Sequence, residues 1–447
     1  MGKVPPDNVD EDHLTRASGV GWLVPSKTSP RKGQQADGGA APPDHLKVMG
    51  FRREDLYGRE GAPMDDFRYT SYAQEVIFGA GSLARLGETV ERFGWQRLLL
   101  CSTGSMQRGG HIAKVERALG ARLISTYANV QPHVPESQVA EVLELAQQQQ
   151  IHALIGMGGG SAIGIAKAIS FTLEEQRSGQ PTRVPLPTDQ PLVPVIAIPT
   201  TYAGSEMTPV YGVTHQKDGI TRKITVTDPK IAPRLTLYDP LLTLDLPPQL
   251  TASTGINALA HCLEALYSIT RNPLSTLTAL GGIRAIMTAL PRCSADGHNL
   301  EARAEMLQGS YLAATALAHV AMGLHHGICH VLGGTAGVPH GVANSIILPH
   351  ALRFNLDATA SELAQAAEAM GITTAGRSAS AAAKEAIQRV TDLIGQLQVP
   401  RHLRETGVRA GDLPRLAELA LQSRAVQSNP KPVKEAAPLL ELLQAAW

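Results

Sequence analysis

Residues 152–171 read HALIGMGGGSAIGIAKAISF, and this stretch decides the fold class. An apolar strand pattern ends in Gly158, Gly159 and Gly160 and continues directly into a helical pattern from Ser161. Glycine lets a backbone approach a phosphate closely, and the amides of a helix start offer hydrogen bonds and a positive dipole end. The stretch therefore predicts a strand–turn–helix unit with a phosphate-binding turn. A plain tight turn is the alternative.

The same alternation of strand and helix extends to both sides of this unit. Further apolar strand patterns lie at 97–101, 123–130 and 194–200, with amphipathic helical patterns between them. Continuous apolar strands separated by helices are typical of a parallel sheet covered on both faces. A hairpin-like strand is also predicted over 68–78.

Composition divides the chain into three parts. Residues 1–66 are rich in Gly, Pro, Ser and charged residues, so we expect a disordered tail there. Residues 67–245 carry the strand–helix alternation and form the expected α/β domain. From 246 to 447 the sequence is rich in Ala and Leu with helical periodicity, which predicts an all-helical domain.

Charge and cysteine usage exclude several classes of function. Lys plus Arg equals Asp plus Glu, at 40 each, so nothing favours binding of nucleic acid or an anionic membrane. The four cysteines are scattered without a CxxC pair, which suits reduced thiols. We see no apolar stretch approaching the roughly 20 residues of a membrane helix and no signal peptide. The expectation is a cytoplasmic protein.

A second polar turn supports a nucleotide site. The strand pattern at 194–200 ends in the turn 200–206, TTYAGSE. In an open α/β sheet, ligands bind beyond the carboxyl ends of the strands, which is where both turns fall. Ser102 follows the strand at 97–101, where a dinucleotide enzyme often reads the adenosine ribose. Because a hydroxyl does not repel a 2′-phosphate as a carboxylate would, we expect both NADH and NADPH to be accepted.

Histidines concentrate in the helical part. Residues 324–341, LHHGICHVLGGTAGVPHG, hold four of them, and His326 and His330 are spaced to share one helix face. Asn257 and His261 form a similar pair upstream. Imidazoles at helical spacing are typical of a metal or proton-transfer site. For any single histidine, a satisfied core position is the alternative.

Four blocks together resemble a known family. They are GMGGGSAIGIAKAI, AIPTTYAGSEMTP, YDPLLTLDLPPQLTASTGINALAHCLEALYS, and GLHHGICHVLGG with VPHGVANSIILPH. In this order they resemble the iron-containing (group III) alcohol dehydrogenases. The resemblance implies a Rossmann-like α/β domain, an all-α C-terminal domain of the dehydroquinate synthase-like fold, an active site in the cleft between them, and a homodimer.

Within that family the chain is more similar to the maleylacetate reductases. Three local sequence features support this similarity. They are TTYAGSEMTP in place of TTAGTGSE, Gly164 where GGGSxxDxAK has its Asp, and the doublet His325-His326 before CHVLGG. The implied reaction is hydride transfer from NADH or NADPH to the C=C bond of maleylacetate, giving 3-oxoadipate in the degradation of aromatic compounds.

The resemblance also assigns residues. It places Gly158, Gly159, Gly160 and Ser161 on the cofactor diphosphate, and Thr200, Thr201 and Ser205 along the nicotinamide-nucleotide groove. The metal positions of the alcohol dehydrogenases, an Asp and three His, read here Asn257, His261, His326 and His340. A neutral amide is a weaker ligand for Fe²⁺ than a carboxylate, so a metal-free site is favoured over one holding Fe or Zn.

The implied mechanism builds an enolate that needs donors. His326 and His340 would donate hydrogen bonds to it, His330 would supply the proton, and His261 with Asn257 would orient the cluster. Candidate partners for the substrate carboxylates are His325, Lys223 and Arg271. Glu206 is expected to cap a helix opening at Met207 or to join the two domains by an ion pair.

Three other functions stay open at this point. One is a metal-dependent alcohol dehydrogenase or aldehyde reductase of the same family. A lyase resembling dehydroquinate synthase is less favoured, because such an enzyme expects many Lys and Arg around a phosphorylated substrate and residues 320–345 have none. The last is a non-catalytic NAD-binding protein.

Overall fold

The computed structural model describes residues 67–178, 188–217 and 220–447, without the side chains of Ser178 and residues 215–223. The predicted disordered tail, residues 1–66, lies outside the described residues.

The first half of the described chain is built on a parallel sheet of six strands in the order β1-β8-β5-β4-β2-β3. The strands are β1 (Glu75–Phe78), β2 (Leu98–Cys101), β3 (Leu123–Tyr127), β4 (Ala153–Gly158), β5 (Val195–Pro199) and β8 (Leu235–Tyr238). All residues of the central strands β2, β4 and β5 are buried. Such continuous apolar runs suit strands covered on both faces.

Five helices belong to this half: α1 (Leu86–Arg92), α2 (Gly104–Arg108), α3 (His111–Leu119), α4 (Glu136–Gln148) and α5 (Gly160–Ser178). The predicted strand–turn–helix unit at 152–171 is β4 followed by α5. This confirms the predicted α/β class, because the helices connect strands that run parallel.

Two expectations about strands need correction. The hairpin-like strand over 68–78 is wrong: only Glu75–Phe78 forms a strand, and it pairs in parallel with β8. A separate antiparallel hairpin, β6 (Val210–Lys217) and β7 (Ile220–Thr227), was not predicted. The partner of β1 lies about 160 residues later in the chain, so no local pattern could show that pairing.

The second half is helical. Its helices are α6 (Pro248–Tyr267), α7 (Pro273–Ala295), α8 (Leu300–Leu317), α9 (Leu324–Ala336), α10 (His340–Ala369), α11 (Ala379–Gln396), α12 (Leu413–Leu421), α13 (Arg424–Gln427) and α14 (Ala437–Ala446). Helix α6 is buried along nearly its whole length and packs against α7, α8 and α10. Polar side chains on α6 therefore lie inside the helical core.

Helix α7 corrects the expectation that no apolar stretch approaches the length of a membrane helix. Among the described residues, this one helix is long and apolar enough to cross a membrane, with a mean hydropathy of 1.2 over its best window. Of that window, 44% is buried inside the protein. A core helix passes the same test, so the finding is weak support for a span.

A strained turn at His133 and Val134 contacts the start of α5, where the His133 amide donates to Ser161 Oγ. His133 and Val134 adopt left-handed φ angles of 65° and 49°. A β-branched residue such as Val134 rarely adopts this conformation, which costs about 1–3 kcal/mol. Thr214 of β6 holds the turn, because its hydroxyl donates to the His133 carbonyl at 2.8 Å and its amide to the Val134 carbonyl at 2.9 Å. The buried Val134 side chain packs over Gly164, where a Cβ would lie 3.3 Å from Val134 Cγ2.

Candidate active site

The two predicted polar turns meet at the carboxyl edge of the sheet. The Thr200 amide donates to the Gly158 carbonyl at 2.9 Å, and a Cβ on Gly159 would lie 3.4 Å from Thr201 Oγ1. Gly158 has a φ of 142°, a conformation that side-chain-bearing residues rarely adopt. Helix α5 begins at the next glycine but one, Gly160. The sequence thus forms one glycine-walled cradle at a helix start.

The cradle presents hydroxyl groups that lack protein partners. Thr200 Oγ1 and Thr201 Oγ1 are buried, with no hydrogen-bond partner in the described part of the chain. A buried hydroxyl without a partner is costly, so such atoms mark capacity for a ligand. Ser161 Oγ accepts from the His133 amide at 3.3 Å, which leaves the Ser161 proton free to be donated elsewhere. These features fit a cofactor diphosphate.

Ser205 is held by a lysine that the sequence analysis missed. Lys167 Nζ contacts the Ser205 carbonyl at 2.5 Å and the Ser205 hydroxyl at 3.3 Å, and it donates to the carbonyls of Thr208 and Val210. Burial lowers the pKa of Lys167 to about 7, although the Glu206 carboxylate opposes that shift. A single lysine in the otherwise apolar run GIAKAI was the available signal. It ties α5 to the second turn.

Ser102 is a correction. Its side chain is fully buried, and its hydroxyl donates to the Met157 carbonyl at 2.9 Å inside the sheet. It does not face outward as a ribose-reading residue would. The argument for dual cofactor use that rested on Ser102 therefore loses its support.

The predicted imidazole cluster forms on three helices. Asn257 and His261 lie on α6, His326 and His330 on α9, and His340 opens α10. The His326 ring centroid lies 4.7 Å from that of His261 and 5.8 Å from that of His340. The His330 and His340 rings stack at 5.5 Å. Histidines separated by up to 79 positions in sequence are brought together.

One end of the cluster is buried, and the other end is exposed to solvent. Asn257, His261 and His326 are each 3% exposed, whereas His340 is half-buried and His330 is exposed. Burial lowers the pKa of both His261 and His326, so both rings are neutral at neutral pH. Protons can therefore enter from the His330 side.

The imidazole cluster and the glycine cradle are continuous. The Asn257 amide donates to the Ala203 carbonyl at 3.3 Å, and a Cβ on Gly204 would lie 3.5 Å from His261 Nδ1. On the other side of the same turn, a Cβ on Gly160 would lie 3.8 Å from the Ala203 Cβ. The turn after β5 therefore joins the start of α5 to the histidines. One cofactor could span both.

Three polar atoms of the cluster remain unsatisfied. They are Asn257 Oδ1, His261 Nδ1 and His326 Nε2, which are buried and have no partner among the described residues. Buried polar groups are normally hydrogen-bonded, so three in one place indicate room for a polar ligand.

Glu264 is the main residue that the sequence analysis missed. It is fully buried, and its Oε1 accepts from the amides of Gly323 and His325 at 3.0 and 3.2 Å. Its Oε2 makes a short contact with His326 Nδ1. Burial acts to raise the pKa of this carboxyl, but His326 and His325 hold it well below its usual range. The signal was its spacing, because Asn257, His261 and Glu264 share one face of α6.

Of the three expected partners for the substrate carboxylates, His325 needs correction. His325 is fully buried behind His326, with its Nε2 3.2 Å from the Asn344 carbonyl. Arg271 pairs with Glu362 at 3.3 Å. The side chain of Lys223 lies outside the described residues. The buried His325 is therefore not placed to bind a substrate.

Glu206 also differs from expectation. It lies in a 3-10 turn, Ser205–Met207, so no helix opens at Met207. It is fully buried, accepts from the Tyr238 hydroxyl at 3.0 Å, and forms no ion pair in the part of the chain described. Burial raises the pKa of Glu206 to about 7.

The donor set lacks the carboxylate that helps to hold Fe²⁺ in the alcohol dehydrogenases. The side chains at the expected metal positions are an amide and three imidazoles, which bring no negative charge. Across the described ranges, the one trio of His, Cys, Asp or Glu with ligand atoms within 4.8 Å of one another is Glu264, His325 and His326. Both Glu264 oxygens in that trio already accept hydrogen bonds. No step of the reaction proposed below uses a metal.

Comparison with known proteins identifies the family of this chain. The model of the iron-containing alcohol dehydrogenases matches residues 73–240, and that of the C-terminal part of the Fe-containing alcohol dehydrogenase family matches 251–447. The chain belongs to this family. It is similar to maleylacetate reductase 1 of Cupriavidus pinatubonensis, at 36% identity over 83% of this chain and 94% of the relative.

Solved structures of the family share the fold. The maleylacetate reductase of a Rhizobium species is 32% identical, covers 86% of this chain and 99% of its own, and has a TM-score of 0.73. A 1,3-propanediol oxidoreductase is 30% identical, covers 86% and 100%, and has a TM-score of 0.79. The protein is thus an oxidoreductase of the NAD(P)-dependent class to which these relatives belong.

Proposed function

We propose that the protein reduces the C=C bond of maleylacetate to give 3-oxoadipate, with NADH or NADPH as the reductant. The observation that carries the proposal is the Asn257–Ala203 hydrogen bond, which joins the glycine cradle to the imidazole cluster. The named relatives support the substrate, because the chain is 36% identical to a maleylacetate reductase over nearly the full length of that enzyme.

The cradle would hold the cofactor. The backbone at Gly158, Gly159 and Gly160 and the Ser161 hydroxyl would bind the diphosphate. Thr200, Thr201 and Ser205 would line the groove toward the nicotinamide. When bound, the reduced nicotinamide supplies the hydride.

The cluster would stabilise charge and supply a proton. Hydride addition to an alkene conjugated with a ketone builds negative charge on the ketone oxygen, which needs hydrogen-bond donors. We assign a donor role to His340, at the half-buried middle of the cluster. His330, at the exposed end, would supply the proton that completes the reduction. His261 and Asn257 would fix the position of the turn after β5 relative to the histidines.

His326 fits a different role from the one expected of it. Its Nδ1 faces the Glu264 carboxylate, so the neutral ring presents Nε2 as an acceptor. It becomes a donor at Nε2 only when protonated. The enolate-donor role is therefore assigned to His326 in its imidazolium form alone.

One alternative has specific support. The 1,3-propanediol oxidoreductase has the TM-score of 0.79 given above, so a metal-dependent alcohol dehydrogenase or aldehyde reductase is the second candidate. Against it stand the neutral donor set and the Asn257 substitution.

One assay separates these functions. NADH and NADPH oxidation would be followed by absorbance with freshly prepared maleylacetate and with simple aldehydes, each with and without EDTA. We expect turnover with maleylacetate that EDTA does not change. Turnover with aldehydes alone, lost on chelation, would overturn the proposal in favour of the alcohol dehydrogenase. No oxidation with any of them would favour a non-catalytic NAD-binding protein.

We further propose a homodimer, from the family resemblance, and a cytoplasmic location, from the scattered cysteines. Light scattering coupled to gel filtration of the purified enzyme would test the dimer, and fractionation of the source cells would test the compartment.

A further inference from the structure

Glu264 receives hydrogen bonds from three directions at the start of α9. The amides of Gly323 and His325 both donate to Oε1, and these donors are fixed because a backbone amide cannot accept. Oε2 faces His326 Nδ1. His325 Nδ1 lies 3.7 Å from the same oxygen and 3.3 Å from His326 Nδ1, whereas His325 Nε2 lies 3.2 Å from the Asn344 carbonyl and must donate to it. An ionised carboxylate has only acceptor positions, so the nearest ring nitrogen, His326 Nδ1, donates to Oε2.

The other edge of the His326 ring points away from Glu264. Its Nε2 is buried and has no partner within the described ranges. A neutral imidazole has one N–H, and the hydrogen bond made by one nitrogen decides the state of the other. With the proton on Nδ1, Nε2 is left as a buried acceptor without a protein partner in the described part of the chain.

We propose that Glu264 is a positioning residue that fixes the tautomer of His326, with the proton on Nδ1 and an acceptor at Nε2. The consequence for turnover rests on the proposed function, whereas the tautomer itself does not. In this arrangement the neutral cluster has an acceptor, His326 Nε2, at its buried end. His330 and His340 supply donors toward its solvent-exposed end.

Glu264 also has a purely structural task, which a test must separate. The amides in the first turn of an α-helix need acceptors from outside the helix. Glu264 serves those of Gly323 and His325, and Asn429 Oδ1 accepts from the Leu324 amide at 3.2 Å. Asn429 thus caps the same helix without contacting His326, which makes it the matched control.

Glu264→Gln is the informative variant because it preserves shape and inverts the hydrogen bond. The amide oxygen can still accept from the two backbone amides. The amide NH₂ would face His326 Nδ1, which must then accept, so the ring proton moves to Nε2. Glu264→Asp keeps an acceptor-only group and therefore should keep the wild-type tautomer.

The direct readout is ¹⁵N NMR of protein labelled at its histidine rings, with the His326 signals assigned by their loss in His326→Ala. We expect wild type and Glu264→Asp to show a protonated Nδ1 and a bare Nε2, and Glu264→Gln to show the reverse. We expect kcat for maleylacetate to fall at least about tenfold in Glu264→Gln, with KM for NADH nearly unchanged. Glu264→Asp should recover part of that loss.

Asn429→Ala should lower the melting temperature while keeping the wild-type tautomer and a kcat within about threefold of wild type. A wild-type enzyme with the proton on Nε2 would overturn the proposal even if no variant folds. An unchanged tautomer in Glu264→Gln would overturn it as well. If the tautomer inverts as expected but wild type does not reduce maleylacetate, the proposed function fails and the assignment to Glu264 stands.

Discussion

The glycine cradle and the imidazole cluster are built by opposite means. The cradle is formed by the backbone: two strand ends lie side by side, and glycines at 158–160 admit the neighbouring turn. The cluster is formed by side chains from α6, α9 and α10, with a carboxylate buried beneath them. The backbone that forms the cradle comes from short stretches of sequence, whereas the side chains of the cluster come from distant positions. The two should therefore respond differently to substitution.

The largest effect is expected in the cluster. His326→Ala should lower turnover at least about a hundredfold, because loss of the ring between His261 and His340 would misplace the groups that contact the substrate. Steady-state kinetics with maleylacetate would measure this. His298→Ala, in the exposed loop before α8, is the control and should leave turnover unchanged. Near-wild-type kinetics in His326→Ala would remove His326 from the active site.

A smaller and different effect is expected in the cradle. Thr201→Val keeps the shape of the side chain and removes the hydroxyl that lacks a protein partner. Losing one hydrogen bond to the cofactor should raise KM for NADH up to about tenfold, with kcat largely retained. Thr201→Ser restores the hydroxyl and should restore KM. Equal KM values in all three enzymes would place Thr201 outside the cofactor groove.

Between the two regions, Glu206 should affect stability and not turnover. Burial raises its pKa from 4.5 to about 7 in the folded protein, so the folded state binds more protons than the unfolded state in that window. The free energy of unfolding should therefore fall as pH rises from about 4.5 to 7, by at most about 1.4 kcal/mol per pH unit.

Denaturant unfolding at several pH values tests this. Glu206→Gln does not titrate and should flatten the profile below pH 7, whereas Glu116→Gln, at an exposed position, should retain the wild-type slope. Above pH 7 the sign reverses, because Lys167 has a pKa lowered from 10.5 to about 7 and the folded state then binds fewer protons. A wild-type slope in Glu206→Gln would contradict the assignment to this carboxyl.

The smallest effect is expected from chelation. EDTA should leave the activity with maleylacetate unchanged, because the expected metal positions carry no anionic ligand. Elemental analysis of the purified enzyme should find less than stoichiometric Fe and Zn. Stoichiometric metal, with activity lost on its removal, would show that the cluster works as a metal centre despite Asn257.

The sequence alone was sufficient to predict features that depend on residues close together in the chain. The strands β2, β4 and β5 are uninterrupted apolar runs, and the turns that follow β4 and β5 are marked by glycine and threonine. Helical spacing was enough to place His326 and His330 on one face. These features depend on neighbours in the chain.

What the sequence could not show depends on tertiary packing. The pairing of β1 with β8 joins distant segments. The direction of the Ser102 hydroxyl is set by the Met157 carbonyl on another strand, and His325 was taken for a ligand-facing residue although α9 turns it into the core. Glu264 looked like an ordinary helix glutamate, and only its contact with α9 shows its environment.

The strained pair His133-Val134 limits how this enzyme can exchange motifs with its relatives. At 164 the alcohol-dehydrogenase motif has an aspartate, but any side chain there would meet Val134 Cγ2 at 3.3 Å from its first carbon. Gly164→Asp alone would therefore require the Val134 side chain to shift by a few tenths of an ångström. A prior change of Val134 to glycine would clear the space and relieve the left-handed backbone. The two positions are therefore coupled, and a double-mutant cycle should show that Gly164→Asp is tolerated better when position 134 is glycine.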